Sequence, residues 1–500
     1  MPEQDRAWVG PLFILVSGTF MSALDTSIVN VAIPKMEIAL NAAPDDVQWI
    51  VTAYTLTMGM VVPVAGWLGL RLGLSRLHQL CMLGFAASSA ACGLAWDLPS
   101  MVAFRILQAV PGGMLPLIAL ILLMRIVPKE HLGSAMGIYG LGVTTAPALG
   151  PVLGGYLVEY LDWRLIFYIN VPVGILGAVA AALVFPQVKP ITWPRFDFLG
   201  FVTIAYGMFA LLLACSQGQD WGWTGYRVSG LVVSGLLSLA LFVVIELEVD
   251  NPLVDLRVLT NWPYVNSMLL VAIGIINLFS GLYFIPQFLQ IVQGMQAFDS
   301  GLVLLPASLV TMVLMPVAGR LYDRIGPRWP VTFGLLIAAY ASYQLAHLTV
   351  DSPRHYVEVN MAVRNAGLAL FMMPNITAGI SALPAALTGA GSTVNNVMRQ
   401  ASSSIAIAVF TGMNIATAQQ LLPDRAGLYA TGAQALPPIS RAAADGPSGL
   451  LPLYLQLGDR ITTQTFANCF FLVAVITAAG AGLGLTLRSG RSGAARSPRT

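Results

Sequence analysis

Charged residues are scarce in this sequence, and their scarcity excludes a water-soluble protein. Only 10% of the 500 residues are charged, whereas 57% are hydrophobic. Soluble chains carry about 25% charged residues, which cover the surface that faces water. A surface that faces hydrocarbon needs no such cover, because it has no water to meet. The composition therefore predicts an integral membrane protein.

Cysteine and an excess of one charge sign are also lacking. The four cysteines stand in apolar runs, without the spacing of a zinc site or a disulfide framework. The 25 basic residues exceed the 23 acidic ones by only two, so there is no basic field for nucleic acid. Phosphate-binding loops and nucleophile elbows are missing as well. We therefore expect no enzyme activity, no cofactor, no metal and no nucleic-acid partner.

Long apolar stretches are what the sequence does contain. A membrane helix needs about 20 mostly apolar residues to cross ~30 Å of hydrocarbon. Fourteen charge-poor stretches have this length, so we predict an all-α, polytopic membrane protein. They cover residues 8–33, 47–69, 77–96, 98–124, 134–158, 165–186, 197–216, 228–245, 263–289, 300–321, 329–348, 360–382, 392–422 and 464–487. The first stretch is too long for a secretory signal and lacks a cleavage site, so it should remain in the mature protein.

The distribution of Lys and Arg predicts the orientation in the bilayer, because basic residues near helix ends stay on the cytoplasmic side. With the amino terminus inside, the inner segments hold 15 basic residues and the outer loops 7. Both termini are therefore expected in the cytoplasm. The Arg-, Ser- and Gly-rich stretch 488–500 is expected to be a disordered tail. The Pro-, Gly- and Ala-rich stretch 423–463 is expected to be a long outer loop.

A short segment occurs twice, 253 residues apart. Residues 63–73 read PVAGWLGLRLG, and residues 316–326 read PVAGRLYDRIG. Each copy ends the second helix of a six-helix set, so the chain divides into six helices, two more, and then six. Such a duplication is found in transporters that bind substrate near the midplane between the halves. The expected units are an N-terminal bundle (1–188), two linking helices (189–257), a C-terminal bundle (258–487) and the tail (488–500).

Several spans contain motifs of recognisable type. The first span contains LDTSIVNVAIP at 24–34, and the fourth contains RILQA at 105–109 followed by two glycines. The fifth contains GPVLGG at 150–155, and WR at 163–164, NVP at 170–172 and RQ at 399–400 follow. Together these motifs resemble the major facilitator superfamily, and specifically its fourteen-spanner branch of drug:proton antiporters, with GPVLGG similar to the antiporter motif of that branch. The resemblance covers nearly the whole chain.

Asp25 and Arg105 are the leading candidates for proton coupling. An ionisable side chain inside the bilayer costs ~2.5–3.5 kcal/mol on insertion scales, so it indicates function. Counted from Pro34 and Pro99, the two residues lie roughly 13 and 9 Å below the outer interface and can approach each other. Asp25 is then the proton carrier and Arg105 its modulator. The alternative is a permanently ionised pair that only fixes the helices.

Candidate substrate contacts combine aromatic rings, amides and one cation. Such a surface suits bulky, weakly polar or cationic compounds. The aromatic residues are equally typical of an interfacial belt, and Gln108 of a simple interhelical hydrogen bond. Arg364, a further arginine within a span, is expected to serve packing. The substrate-cavity candidates are Gln108, Tyr54, Phe279, Tyr283, Phe284, Gln287, Gln290 and Arg399.

Candidate gating residues come from the fifth span and from the repeated segment. Glycines at i, i+4 and i+5 make a flat helix face, and a proline bends the helix. Ordinary packing of small residues between helices would give the same sequence pattern. These candidates are Gly150, Pro151, Gly154, Gly155, Gly66, Gly73, Gly319, Asp323 and Arg324.

Four positions depart from the family pattern. Leu70 stands where the superfamily has an acid, so a cytoplasmic charge clasp is expected only from Asp323 in the second copy. Ala146 replaces a glycine, and Ser402 and Ser403 replace paired glycines. The two serines and Leu70 should affect gating more than energy coupling.

The function implied is proton-coupled export of hydrophobic drug-like compounds, including cationic ones, by alternating access in a bacterial inner membrane. Two alternatives stay open at this point. One is an exporter of a self-made metabolite such as a fatty acid, siderophore or antibiotic. The other is a non-transporting membrane sensor or scaffold. Besides the substrate, protons and lipid, a periplasmic adaptor that meets the outer loop is a further candidate partner.

Overall fold

Helices form every long element of the chain in its described part. The structure, a computed structural model, describes residues 8–185, 196–218, 221–223, 225–249, 252–432 and 447–487. Fourteen helices of 15 residues or more lie in these ranges, and the same ranges contain no strand. The helices are α1 (Val9–Ala39), α2 (Trp49–Leu72), α3 (Leu74–Gly93), α4 (Leu98–Ile126), α5 (Leu132–Tyr160), α6 (Asn170–Val184), α7 (Phe198–Gln217), α8 (Tyr226–Glu248), α9 (Trp262–Gln287), α10 (Ala297–Ile325), α11 (Arg328–Leu345), α12 (Arg354–Ser381), α13 (Thr388–Gly432) and α14 (Pro447–Gly484).

The predicted all-α membrane fold is confirmed. Ten of the helices are long and apolar enough to cross a bilayer by length and composition. The other four, α3, α11, α12 and α13, carry more polar residues. In α12 several of these polar side chains are buried, including Asn360, Arg364 and Asn375. Polar side chains in such helices face the bundle interior, where they find partners that lipid cannot supply.

Helix α1 is longer than predicted, and this changes the position of Asp25 along the helix. Pro34 lies inside α1, which continues to Ala39. A proline within a membrane helix is tolerated because neighbouring groups satisfy the freed carbonyl. Asp25 is therefore 14 residues from the end of the helix, ~21 Å at 1.5 Å per residue, and lies near the middle of α1.

The non-helical part of the long outer loop is shorter than predicted. Helix α13 continues to Gly432 and α14 begins at Pro447, so both flanks of the stretch 423–463 are helical. Its alanines and leucines favour a helix, and Pro447 stands at the first helical position, where proline is well tolerated. Residues 433–446 and the predicted tail 488–500 lie outside the described part.

Two sets of six helices pack in the same pattern. In the first set α1 packs on α5, α2 on α4, and α3 on both α4 and α6. In the second set the corresponding pairs are α9 with α13, α10 with α12, and α11 with α12 and α14. Helices α7 and α8 pack on each other outside both sets, and α7 contacts α2 and α13. The repeated segment thus lies at equivalent places, at the ends of α2 and α10.

The two sets meet mainly along α5 and α10. A methyl group on Gly133 would collide with the carbonyl oxygen of Gly319, and one on Gly137 would lie 2.7 Å from the carbonyl oxygen of Met315. Small residues let the two backbones approach this closely. We call the end of the molecule formed by residues 73–74, 126–132 and 325–328 the basic end. The contact between α5 and α10 closes this end.

The α1–α5 seam has one tight face and one open face. A methyl group on Gly150 would collide with the Ser27 side chain, and one on Gly154 would lie 2.8 Å from Ile28 Cγ1. Gly155 is the next residue, yet a methyl group there would meet no atom within 4 Å. The close approach expected of three glycines therefore involves Gly150 and Gly154. Helix α5 continues through Pro151 between them.

Gly150→Ala should destabilise the protein while Gly155→Ala should not. Overpacking of a tight contact costs about 1–3 kcal/mol. Alanine at the open position improves helix propensity at no steric cost. Unfolding of both variants in mixed detergent micelles measures the difference. Equal free energies of unfolding for the two variants would contradict the tight seam.

Candidate functional site

A buried ion pair lies at the centre of the first six-helix set. Arg105 Nη1 of α4 is 2.6 Å from Asp25 Oδ2 of α1. Their side chains are 1% and 0% exposed. An unpaired charge at this depth would be costly, and mutual neutralisation makes both tolerable. The approach predicted from the two helix positions is therefore present.

Amide groups complete the coordination of Asp25. Gln108 Nε2 donates to Asp25 Oδ1 at 2.9 Å, and Asn170 Nδ2 of α6 donates to the same oxygen at 3.0 Å. The amide oxygen of Gln108 accepts a bond from Arg105 Nη1 at 2.6 Å. Both amides also donate to the Ser89 hydroxyl of α3. Each of these bonds to Asp25 comes from an N–H group.

Helix α2 supports the guanidinium from the other side. The Tyr54 ring lies 3.9 Å from the Arg105 guanidinium carbon, within cation–π range. Arg105 Nε donates to the Ile50 carbonyl oxygen at 3.3 Å. We call Asp25, Arg105, Gln108, Ser89, Asn170 and Tyr54 the polar cluster; it joins α1, α2, α3, α4 and α6. Gln108 and Tyr54, predicted to line the substrate cavity, are fully buried in this cluster.

Two members of the polar cluster, Ser89 and Asn170, were not identified as site residues from the sequence. Asn170 stands in the NVP motif at 170–172, to which the resemblance gave no role, and Ser89 follows another serine in an apolar span. The available signal was the polarity of these residues inside predicted spans. Serine and asparagine are common in membrane helices, however, so polarity alone does not single them out.

The second six-helix set contains a buried arginine without such a carboxylate. Arg364 of α12 is 1% exposed, and its Nη2 donates to the Ser280 hydroxyl of α9 at 3.0 Å. In the described part of the chain, Arg364 has no carboxylate within 4 Å. A methyl group on Gly281 would collide with its guanidinium. Arg364 therefore packs inside the bundle and does not extend to the interface.

The aromatic and amide residues predicted for the substrate cavity fall into different environments. Phe284 is fully buried among Phe410, Phe466 and Phe470, with ring centroids 5.0 to 5.9 Å apart. Gln290 is exposed and donates to the Ser300 hydroxyl at 3.0 Å, where the chain continues α9 as the π-helix Phe288–Val292. The remaining predicted residues of this region, Phe279, Tyr283 and Gln287, are partly buried. The structure thus does not bring all five to one surface.

Arg399 lies where the two sets face each other. It is a partly buried residue of α13, and it interacts electrostatically with Tyr139 of α5. Nearby, a methyl group on Gly59 of α2 would lie 3.8 Å from Gln400 Cγ. Arg399 is therefore the predicted cavity residue that approaches the boundary between the sets.

At the basic end, Asp323 of α10 caps α5. Its carboxylate accepts bonds from the backbone N–H groups of Gly133 and Ser134 at 2.7 and 2.8 Å, and from the Ser134 hydroxyl at 2.6 Å. A carboxylate at a helix amino terminus satisfies free N–H groups and interacts favourably with the helix dipole. The partners Gly133 and Ser134 were not predicted, because nothing in their residue types indicates an acceptor.

The other predicted gating residues occupy simpler positions. Gly66 faces Thr393 of α13, and a methyl group there would lie 3.6 Å from the Thr393 hydroxyl oxygen. Gly73 links α2 to α3 with a φ of +82°, a conformation that favours glycine. Arg324 and Leu70 are exposed. Gly319 lies in the α5–α10 contact, so of these residues Gly66 and Gly319 touch the opposite set.

A membrane protein in which two similarly packed six-helix sets meet along small residues has the architecture of a secondary transporter. The chain belongs to the Major Facilitator Superfamily, whose sequence profile matches residues 15–407. The family predicted from the sequence motifs is thereby confirmed.

Relatives agree with this assignment. The chain is 34% identical over 400 residues to the MFS-type transporter YhcA of Bacillus subtilis, covering 80% of this chain and 75% of YhcA. It is 32% identical over 454 residues to the tetracenomycin C resistance and export protein of Streptomyces glaucescens, covering 89% and 84%. Among solved structures, the proton:xylose symporter XylE matches with a TM-score of 0.61 at 12% identity, covering 93% of this chain and 94% of XylE. At 12% identity, the similarity to XylE shows a shared fold and nothing further.

Proposed function

We propose that the protein is a proton-coupled exporter of hydrophobic drug-like compounds, including cationic ones, in the bacterial inner membrane. The observation that carries this proposal is the Asp25–Arg105 pair, buried at the middle of a membrane helix. Ionisable groups at this depth are costly even when paired, so their presence indicates a function. The relative named as an antibiotic resistance and export protein supports the direction and the class of substrate.

Coupling follows from the contacts of Asp25. A proton on the carboxylate would remove its charge and weaken its bonds with Arg105, Gln108 and Asn170, which lie on α4 and α6. Because Asp25 is fully buried, a proton reaches it only when these helices move. Protonation of Asp25 and movement of these helices are then coupled. This is the property that an antiporter needs.

Gating is assigned to the basic end, which the distribution of Lys and Arg predicts to be cytoplasmic. The seam between α5 and α10 and the Asp323 cap close this end. Opening it toward the cytoplasm requires Asp323 to leave Gly133 and Ser134. We assign Gly66, Gly133, Gly319 and Asp323 to this gate, and both termini to the cytoplasm.

Asp323→Asn should shift the protein toward a conformation that is open at the basic end. Loss of the charge at the α5 terminus is worth up to ~2 kcal/mol, roughly a 5- to 30-fold change in the ratio of states. Spin labels at Lys129 and Arg328, both exposed, would report the change as a longer distance between the sets. Arg324→Gln, the exposed neighbour, is the control. Unchanged distances in Asp323→Asn would remove Asp323 from the gate.

Dye efflux from proteoliposomes tests the function as a whole. Ethidium should leave vesicles against its gradient when a pH gradient is imposed, and efflux should stop when an ionophore collapses that gradient. Efflux that ignores the pH gradient would exclude proton coupling. No efflux of ethidium or of other hydrophobic cations would reject the multidrug proposal.

Export of a self-made metabolite is the second candidate, because the relative from Streptomyces is named for export of tetracenomycin C. Gradient-dependent transport of tetracenomycin C without transport of ethidium would favour it.

Helix α13 is long enough to reach a partner protein outside the bilayer. The 45 residues of α13 measure ~68 Å, more than twice the ~30 Å of hydrocarbon, so α13 extends well beyond the bilayer. We propose this extension as the contact surface for a periplasmic adaptor.

A further inference from the structure

Arg399 differs from the other two arginines that lie within the spans. Arg105 is paired with Asp25, and Arg364 is 1% exposed inside the second six-helix set. Arg399 keeps accessible surface, and among the residues that the structure describes no carboxylate lies within 4 Å of it. A charge at membrane depth is costly, so an accessible cation there indicates a binding partner that these residues do not supply.

Arg399 lies at the level of the middle of α2. Its chain neighbour Gln400 faces Gly59, where a methyl group would lie 3.8 Å from Gln400 Cγ. Gly59 stands 10 residues after the first residue of α2 and 13 residues before the last. Transporters of this architecture bind substrate near the midplane, between their halves. An accessible guanidinium at this level can therefore meet the transported compound.

A polar stripe on α13 contains Arg399. Asn396, Arg399 and Ser403 are spaced at i, i+3 and i+7, so their side chains share one side of the helix, and all three are partly buried. Neither the Asn396 amide nor the Arg399 guanidinium donates a hydrogen bond to a residue in the described part of the chain. Ser403 extends the stripe with a hydroxyl where the family pattern has a glycine. We call these three residues the α13 stripe.

Tyr139 of α5 approaches the α13 stripe from the first six-helix set. It interacts electrostatically with Arg399, and its hydroxyl donates to the Pro116 carbonyl oxygen at 3.1 Å. A phenol is uncharged at neutral pH, so Tyr139 does not neutralise the guanidinium. Tyr139 is itself buried and leaves the accessible side of Arg399 to another group. The charge of Arg399 is therefore available to a ligand.

The donors of the α13 stripe suit an oxyanion. A guanidinium presents its N–H groups in a planar fork that matches the two oxygens of a carboxylate, and the amide of Asn396 adds a further donor. A cationic compound gains no such bond here. The buried carboxylate of the first set, Asp25, is enclosed by the polar cluster and is fully buried.

We propose that Arg399 and Asn396 bind one acidic group, a carboxylate or a phenolate, of the exported compound. This inference rests on the proposed export function and narrows its substrate class. An aromatic compound with one negative charge is preferred over the same compound without charge or with a positive charge. Ethidium, which has no acidic group, is then a weaker ligand of the same protein.

The affinities of three matched compounds test this preference. Pyrenebutyrate, pyrenebutanol and pyrenebutyltrimethylammonium share one aromatic body and differ in charge. Their binding is measured with the full-length protein in phosphatidylcholine nanodiscs, and the signal of empty nanodiscs is subtracted. The carboxylate should bind ~10- to 100-fold more tightly than the alcohol, the range expected of a hydrogen bond to a charged group. The ammonium compound should bind most weakly.

Substitution of Arg399 should remove the preference. In Arg399→Gln the carboxylate and the alcohol should bind about equally, and the affinity for the alcohol should stay unchanged. Arg399→Lys is the second variant in case the first folds poorly; it keeps the charge but loses the planar fork, so its preference should be intermediate. Arg460→Gln, which removes one positive charge at an exposed position of α14, is the matched control and should bind as the unmodified protein does.

Three results would overturn the inference. The first is equal affinity of the unmodified protein for the carboxylate and the alcohol, or no binding of either. The second is a preference that persists in Arg399→Gln. The third is tightest binding of the ammonium compound, which would assign the α13 stripe to another role. Ethidium efflux that depends on the pH gradient, found together with any of these results, would retain the export proposal and reject the inference alone.

Discussion

Asp25→Asn should lose proton-driven efflux by about 100-fold or more, because asparagine cannot carry the proton that an intramembrane relay requires. Asparagine has nearly the shape of aspartate, and its one amide oxygen can take the place either of Oδ2, which accepts from Arg105, or of Oδ1, which accepts from Gln108 and Asn170. The variant should be less stable, because the buried Arg105 charge loses its carboxylate partner, but the similar shape should keep the helices packed and binding of ethidium should persist. The measurement is ethidium efflux from proteoliposomes under an imposed pH gradient, together with ethidium binding to the same variant in detergent.

Asp351→Asn is the matched control for this experiment. It makes the same chemical change at an exposed position between α11 and α12, away from the polar cluster. Its efflux should equal that of the unmodified protein. Gradient-driven efflux retained by Asp25→Asn would falsify the assignment of the proton carrier and leave the Asp25–Arg105 pair as a structural feature. Loss of both efflux and ethidium binding would instead indicate that the substitution disturbs the bundle.

Arg105→Gln should destabilise the folded protein strongly. Removing one partner of a buried ion pair costs about 3–5 kcal/mol, because the remaining charge stays buried without compensation. Arg105 also contacts the Tyr54 ring and the Ile50 carbonyl, so α2 loses its attachment to the polar cluster as well. The free energy of unfolding in mixed detergent micelles, measured at neutral pH, should fall accordingly.

A double-variant cycle separates the ion pair from the other contacts of Arg105. Asp25→Asn removes the charge that Arg105→Gln leaves unpaired, so the double variant should be more stable than Arg105→Gln alone. Arg105→Gln and the double variant both lose the contacts with Tyr54 and Ile50. These contacts therefore do not contribute to the difference in stability between the two variants. If the two single effects simply add, the pair contributes nothing beyond its members, and the strong coupling inferred from the 2.6 Å contact is wrong.

The sequence was most informative where a single residue carries the signal. Apolar runs predict spans because each helix must satisfy the same length, and Asp25 and Arg105 are conspicuous inside such runs. The sequence predicted that these two residues approach each other, and they do. The distance of Asp25 from the end of α1 could not be predicted, because Pro34, which resembles a helix end, lies within the helix.

Partners that depend on helix rotation could not be predicted in the same way. Ser89 and Asn170 belong to the polar cluster only because α3 and α6 turn those faces toward α1, and sequence spacing does not fix how helices rotate against each other. Asp323 was expected at the gate, but its main partners are backbone N–H groups of Gly133 and Ser134. Backbone donors exist at every helix terminus, so no residue type identifies the one that is used.

The number of helices between the two sets has a consequence for topology. Each crossing of the membrane reverses the direction of the chain, so an even number of crossings returns it to the side from which it left. The pair α7 and α8 therefore leaves α9–α14 in the same orientation as α1–α6, and the end of α10 meets the start of α5 on one side of the membrane. A variant lacking both helices would keep that meeting, whereas a variant lacking either one alone would invert the second half and separate Asp323 from Gly133 by the full thickness of the bilayer.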